Sequence, residues 1–246
     1  MVKAKLFAAM AHGAFTGIIA LLTAFLVYGV WYPGAFAEML GGTGLYRLVV
    51  GVEVILGPLM SLVIYNTTKS RAELFRDYAV IIVVQILAFG FGVYSVAQSR
   101  PVYLVFVKDR IEVVAATELQ QADLLLASEE FDSVGWLGPR LICTESPVDP
   151  IEKSDLLMSA LKGKDIQLQP RYYRDCLEGE IWEEAYRRSD LSKLTDIPVE
   201  ALPSQLSRVS FRWLPVVSRF GAWTAFFEES TVNTPTYLNY NPFQRE

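Results

Sequence analysis

Three apolar runs in series, each about as long as a bilayer is thick, fill the first hundred residues of this chain. The first covers roughly residues 14–31 and carries no charge. The second covers roughly 45–65 and is interrupted by Arg47 and Glu53. The third covers roughly 79–97, with Gln85 as its one strongly polar residue. About 17–25 residues are needed to cross about 30 Å of hydrocarbon at 1.5 Å per residue. One such run alone reads equally well as a buried core helix; three in series predict three transmembrane helices.

Composition divides at the same place. The 246 residues are 52% hydrophobic with a mean hydropathy of +0.28, high for a soluble domain, and the excess lies in the first hundred. Residues 1–100 carry seven Lys/Arg and four Asp/Glu, a net of +3; residues 101–246 carry fifteen and twenty-three, a net of −8. A mildly acidic second half argues against nucleic acid, which requires clustered cations. The predicted organisation is a three-helix transmembrane domain over 1–99 and a small α+β extracytoplasmic domain over 100–246.

The direction of insertion follows from Lys and Arg. Lys3 and Lys5 precede the first run, and Lys69, Arg71 and Arg76 lie between the second and third. Residues 32–44 have neither Lys nor Arg. The positive-inside rule predicts a cytoplasmic N-terminus and a C-terminal domain on the opposite side. A cleaved signal peptide is the competing reading of the first run, with Ala35-Phe36-Ala37 as a small-x-small site. The run exceeds the usual length of such segments, so a retained span is expected. Cleavage would leave the second half on the same side.

The second run, VVGVEVILGPLMSLVIY, places a carboxylate and a helix breaker deep in an apolar stretch. An ionised carboxylate there costs about 2.5–3.5 kcal/mol on insertion scales. Pro58 has no N–H and frees the carbonyl of Val54. Glu53, Gly57 and Ser61 recur at i, i+4, i+8 and share one helix face, small and polar, suited to helix–helix contact. Three readings stay open: internal packing of the three spans, contact with a foreign transmembrane helix through Glu53, Gly57, Pro58, Ser61 and Gln85, or a proton path with Gln85 and Arg47 as the available relay partners.

Beyond Arg100-Pro101, PVYLVFVKDRIEVVAA reads as two strands around a Lys108-Asp109-Arg110 turn. Thr117 and Gln120 resemble a capping box opening a helix over TELQQADLLLASEEF. GPRLICTES reads as a strand. Asp149-Pro150 starts a helix that Gly163 ends. RDCLEGEIWEEAYRRSDLSKL is expected to be helical in part, and GAWTAFFEES…TPTYLNYNP to form a hairpin. Cys143 and Cys176, the two cysteines, are expected to pair on an oxidising face; two buried thiols are the alternative. The pair would close a loop of roughly thirty residues and stabilise by around 3 kcal/mol.

Catalytic patterns are missing. His12, the single histidine, lies at the predicted cytoplasmic end of the first span, so no Ser-His-Asp or Cys-His pair is available in the second half. Two cysteines make no closed zinc site. No phosphate loop or GxSxG occurs. The pairs Glu129-Glu130, Glu183-Glu184 and Glu228-Glu229 read as solvated faces. No enzyme, cofactor or metal is expected.

WYPGAF after the first run, and VEVILGPLMSLVIYNTTKSRAELFRDYAVIIVVQILAFGFGVYSVAQSRPVYLVFVKDRIEVVAATEL after it, resemble the TfpX/TfpZ family of type IV pilin accessory proteins. The resemblance covers about 35–120. Glu53 ahead of Gly57-Pro58 fits the pattern, as do Lys69, Leu74, Asp77, Gln85, Arg100, Pro101 and the Lys108-Asp109-Arg110 turn. Glu53 departs mildly, at a position more often Asp. The resemblance implies a non-enzymatic, multi-pass protein of the bacterial inner membrane with a periplasmic domain, promoting assembly of a major type IV pilin into pili. Implied partners are that pilin, the pilus assembly platform and membrane lipid. A pilin waits in the membrane as one apolar N-terminal helix with a periplasmic head, a carboxylate near the start of the helix and a free N-terminus. The alternative function is a membrane-anchored periplasmic ligand-binding or sensor subunit; the short cytoplasmic segments leave it no output domain.

Overall fold

The computed structural model describes residues 2–194, 202, 206, 210–229 and 234–243. It separates into two compact units, residues 1–37 with 41–99, and residues 38–40 with 100–246. The α-helices, in chain order, are α1 (Val2–Leu26), α2 (Phe36–Met39), α3 (Gly42–Ile64), α4 (Arg71–Gln98), α5 (Gln121–Leu124), α6 (Pro150–Leu161), α7 (Glu180–Glu184) and α8 (Arg188–Leu194). The strands are β1 (Pro101–Val107), β2 (Arg110–Ala115), β3 (Arg140–Thr144), β4 (Tyr173–Arg174), β5 (Tyr186–Arg187), β6 (Phe211–Ser218), β7 (Gly221–Glu228) and β8 (Thr236–Leu238).

In the first unit, α1 (prolonged by a π-type turn, Val27–Trp31), α3 and α4 are each long and apolar enough to cross a membrane. Both α1 and α4 pack against α3. The helices outrun the apolar stretches. Nothing in the sequence stops α1 before Lys5 and Lys3, so it begins at Val2. At α4 a capping box fixes the start: Ser70 Oγ accepts from the Glu73 N–H at 3.3 Å, and the Glu73 carboxylate accepts from the Ser70 N–H at 2.8 Å. Residues 71–78, expected between spans, are therefore helical, with Lys69 paired to Asp77 at 2.6 Å. Close approach is written into two glycines. A Cβ at Gly42 would lie 2.7 Å from the ring of Tyr32, which is fully buried and donates its hydroxyl to the Val96 carbonyl at 2.8 Å. A Cβ at Gly92 would lie 2.7 Å from Val49 Cγ1.

The second unit is built on one mixed sheet in the order β4-β3-β1-β2-β6-β7-β8, with β5 pairing β6. β1 and β2 form the expected antiparallel hairpin, with Lys108 at φ +58 in its turn. β1 lies in the sheet interior and is buried from Pro101 to Phe106, as an almost continuous apolar strand should be. β3 runs parallel to β1, and β6 parallel to β2. One core cluster gathers Tyr103, Phe131 and Tyr173 edge to face, with Leu124 and Ile142. A second gathers Leu191, Phe211, Trp213 and Phe226.

One strand falls outside the expected elements, and one expectation needs correction. FRWLPVVS, for which no element was expected, forms β6, although Pro215 inside a run argues against a central strand. Pro215 sits where β6 changes neighbour, after Trp213 pairs with β5 and before Val216 pairs with β2. No ladder bond needs its missing N–H on that side. TELQQADLLLASEEF is no long helix. Residues 116–118 make a 3₁₀ turn, α5 is four residues, and Gln120 gives no side-chain cap. The Glu118 carboxylate instead accepts from the Ala115 N–H at 2.7 Å. Leu119, Leu124 and Phe131 enter the core while Leu125 and Leu126 stay exposed, a spacing that a continuous helix does not produce. The remaining expected elements have counterparts. Asp149 caps α6 through the Glu152 N–H, and Gly163 takes φ +84 beyond its end. α7 and α8 lie within the partly helical segment, and β7 pairs with β8, while residues 230–233 lie outside the described residues.

Candidate functional site

The buried face of α3 carries Gly42, Tyr46, Glu53, Gly57 and Ser61, spaced by whole numbers of turns. Because α1 and α4 both cover this face, its polar groups find partners inside the chain. Ser61 is fully buried, with its Oγ 2.7 Å from His12 Nδ1. Glu53 is 8% exposed, and its Oε2 accepts from Gln85 Nε2 on α4 at 3.4 Å. Gly57 lies between the two pairs: a Cβ there would come within 2.7 Å of Gln85 Nε2 and 2.9 Å of His12 Nε2. Pro58 packs on α1, where a Cβ at Gly13 would lie 3.1 Å from its Cγ. Nearer the other end, Thr23 Oγ1 and the Tyr46 hydroxyl are 2.8 Å apart, and that hydroxyl also donates to the Ala20 carbonyl.

All five residues singled out on the helix faces, Glu53, Gly57, Pro58, Ser61 and Gln85, thus fall in one place. They are not equally reachable. Gly57 and Ser61 are buried against α1 and α4, so they pack the three helices together. Glu53 and Gln85 stay open to a groove of about 740 Å³ lined by α1, α3 and α4, with His12, Phe15, Ile82 and Ile86 among its walls. A smaller groove of about 420 Å³, on the α3–α4 side, shares Glu53 and Gln85. The carboxylate–amide pair therefore forms the polar floor between two apolar grooves. Arg47 lies on the exposed face of α3 and does not meet Glu53.

His12, expected at the cytoplasmic end of the first span, lies within α1 beside Ser61 near the end of α3, a contact the sequence alone does not show. It lies one turn before Thr16, beside Gly13, on the side of α1 that packs against Pro58.

In the second unit Cys143 of β3 and Cys176, just past β4, form a disulfide with Cα atoms 4.9 Å apart. Next to it, Arg174 holds Glu180 through its two terminal guanidinium nitrogens, at 2.5 and 2.9 Å, and keeps that carboxyl below its ordinary range. Among the described residues the one cluster with metal-ligand proximity is Cys143, Cys176 and Glu180. Its sulfurs are bonded to each other and its carboxylate is taken by Arg174, so it offers no ligand set.

The first 41 residues match the model of the fimbrial assembly protein FimB family. Three relatives come from Dichelobacter nodosus. A fimbrial assembly protein of serogroup I is 27% identical over 92% of this chain and 91% of its own length. One of serogroup E1 is 26% identical over 95% and 94%. One of serogroups C1 and C2 is 35% identical over 44% of this chain and 79% of its own length. No solved structure matches the chain. The matches reach the fimbrial assembly proteins and not the narrower TfpX/TfpZ group. On this similarity, the chain belongs to the fimbrial assembly protein family.

Proposed function

We propose that this protein is a non-enzymatic pilus assembly factor of the bacterial inner membrane that holds a major type IV pilin before its incorporation. In this reading α1, α3 and α4 span the bilayer, the N-terminus is cytoplasmic and the second unit is periplasmic. The pilin's single apolar helix lies in the groove walled by α1 and α4, over Glu53 and Gln85. Held there, the pilin is delivered to the assembly platform, raising pilus yield or biasing extension over retraction. The TfpX/TfpZ resemblance supports this finer reading, and the relatives named as fimbrial assembly proteins support the coarser one.

The observation that carries the proposal is the groove with a carboxylate on its floor. A helix is about 10 Å across, so 740 Å³ corresponds to roughly two of its turns. A carboxylate kept at that depth is costly unless a donor or cation meets it. Gln85 supplies one donor at 3.4 Å, a long contact that leaves acceptor capacity toward the groove. The free N-terminal ammonium of a pilin helix is a cation of the right kind.

Glu53→Ala and Glu53→Gln are therefore expected to lower the number of surface pili by an order of magnitude or more in cells lacking the wild-type protein. Each variant should still accumulate in the membrane, and Glu53→Asp should retain part of the function. Electron microscopy of pili with an immunoblot of the membrane fraction makes the check. Wild-type piliation in the Glu53→Ala strain would remove Glu53 from the proposal.

A further inference from the structure

Between β2 and β3 the chain exposes four large apolar side chains within thirteen residues: Leu125, Leu126, Trp136 and Leu137. Trp136 is 66% exposed and Leu137 76%. The segment is nevertheless pinned at both ends. Leu124 and Phe131 are core residues, and the Arg100 guanidinium, itself 3% exposed, donates to the Gly135 carbonyl. The same guanidinium lies 4.8 Å from the centre of the Trp136 ring. A tryptophan held by a buried cation and turned outward beside a leucine is not a side chain that failed to find the core.

Arg100 is the second residue after α4 ends at Gln98. From Tyr78 to Gln98, α4 rises about 30 Å, the thickness of the hydrocarbon layer. The charged residues Arg71, Glu73, Arg76 and Asp77 all precede that stretch. Gln98 Nε2 donates to the Tyr94 hydroxyl at 2.7 Å, forming a polar and aromatic collar of the kind found where helices leave the bilayer. With α4 spanning, chain continuity carries Arg100, and hence Gly135 and Trp136, to the level of the lipid headgroups.

We propose that the Trp136-Leu137 loop is a lipid-binding anchor, inserted into the interfacial layer of the outer leaflet. Its ligand is phospholipid: the indole sits at the glycerol and headgroup level, where an amphipathic ring is favoured, and Leu137 reaches the upper acyl chains. The anchor would fix the height of the second unit above the bilayer. This inference rests on the reading of α4 as a membrane span.

Spin labels on Leu137→Cys and, separately, Leu87→Cys, with the native disulfide intact, test it in the full chain reconstituted in phosphatidylethanolamine/phosphatidylglycerol vesicles. Leu87 is 68% exposed in mid-α4, so neither label displaces a core group. Power saturation with oxygen and with a water-soluble nickel relaxant reports depth. The expected result is a deep label at 87, and at 137 a nickel accessibility several-fold below that of a free nitroxide in the same buffer. Adding Trp136→Ser should raise the accessibility at 137. A label at 137 as accessible as the free nitroxide, with 87 deep, would overturn the anchor and leave the span standing. Both labels fully accessible would overturn the span and the anchor together.

Discussion

Replacing both Cys143 and Cys176 by alanine is expected to destabilise the second unit by about 3–4 kcal/mol, by the chain-entropy account of a crosslink that closes a 33-residue separation. Three features of the fold concentrate the effect. Cys143 is fully buried in β3, and β3 joins the sheet through a parallel pairing with β1, made across a long intervening segment. β4, which covers the outer side of β3, pairs through only two residue positions, Cys143 with Arg174 and Thr144 with Tyr173. The disulfide staples this short ladder at its weak side. Tyr173 belongs to the aromatic cluster with Tyr103 and Phe131, so a loosened β4 also loosens the core. Thermal unfolding of the purified protein in detergent, followed by tryptophan fluorescence, should show the midpoint lowered by roughly 10 °C. Reductant should lower the wild-type midpoint and leave the double variant unchanged. An unchanged midpoint in the double variant would mean that the sheet holds β3 and β4 without help.

Gly57→Leu is expected to abolish piliation and to reduce the amount of protein in the membrane. Even the first added carbon would meet Gln85 Nε2 at 2.7 Å and His12 Nε2 at 2.9 Å, from helices on two sides. Overpacking of this kind typically costs about 1–3 kcal/mol, and leucine, with four carbons to place between α1 and α4, belongs at the upper end. Alanine should be milder, because the atoms in its way are the ends of two side chains that can turn aside. That turning has its own consequence: Gln85 is pushed off Glu53, and His12 off Ser61. Gly57→Ala should therefore keep near-normal protein levels and still lower pilus number. Normal piliation with both variants would show that the Glu53–Gln85 arrangement has no part in assembly.

The three long apolar helices were legible in the sequence because length and hydropathy decide them, and the i, i+4, i+8 spacing of Glu53, Gly57 and Ser61 placed them on one face. What covers that face was not legible. Whether α1, α4 or a foreign helix lies over Gly57 depends on packing between segments far apart in the chain. The structure divides the answer, giving Gly57 and Ser61 to internal packing and leaving Glu53 and Gln85 open to the groove. The His12–Ser61 pair was not legible because the apolar run begins after His12, whereas the helix runs on to Val2. In the second unit, the β1–β2 hairpin and the Asp149-Pro150 helix start followed from local signals. β3 also followed, from GPRLICTES, but its parallel pairing with β1 and that of β6 with β2 carry no local signal, and FRWLPVVS, interrupted by Pro215, suggested no strand. Glu118 diverted its segment from the long helix that its composition favoured, by closing a turn on the Ala115 N–H.

Capture of the pilin by the groove is the central claim, and site-specific photocrosslinking in living cells tests it most directly. Photoreactive residues at Phe15 and Ile86 face the groove, while Leu48 and Val63 are exposed elsewhere on α3. The account predicts a crosslink to the major pilin from positions 15 and 86, weakened by Glu53→Ala, and little or none from 48 and 63. Crosslinks at 48 and 63 equal to those at 15 and 86, or none at any position in a piliated strain, would contradict it.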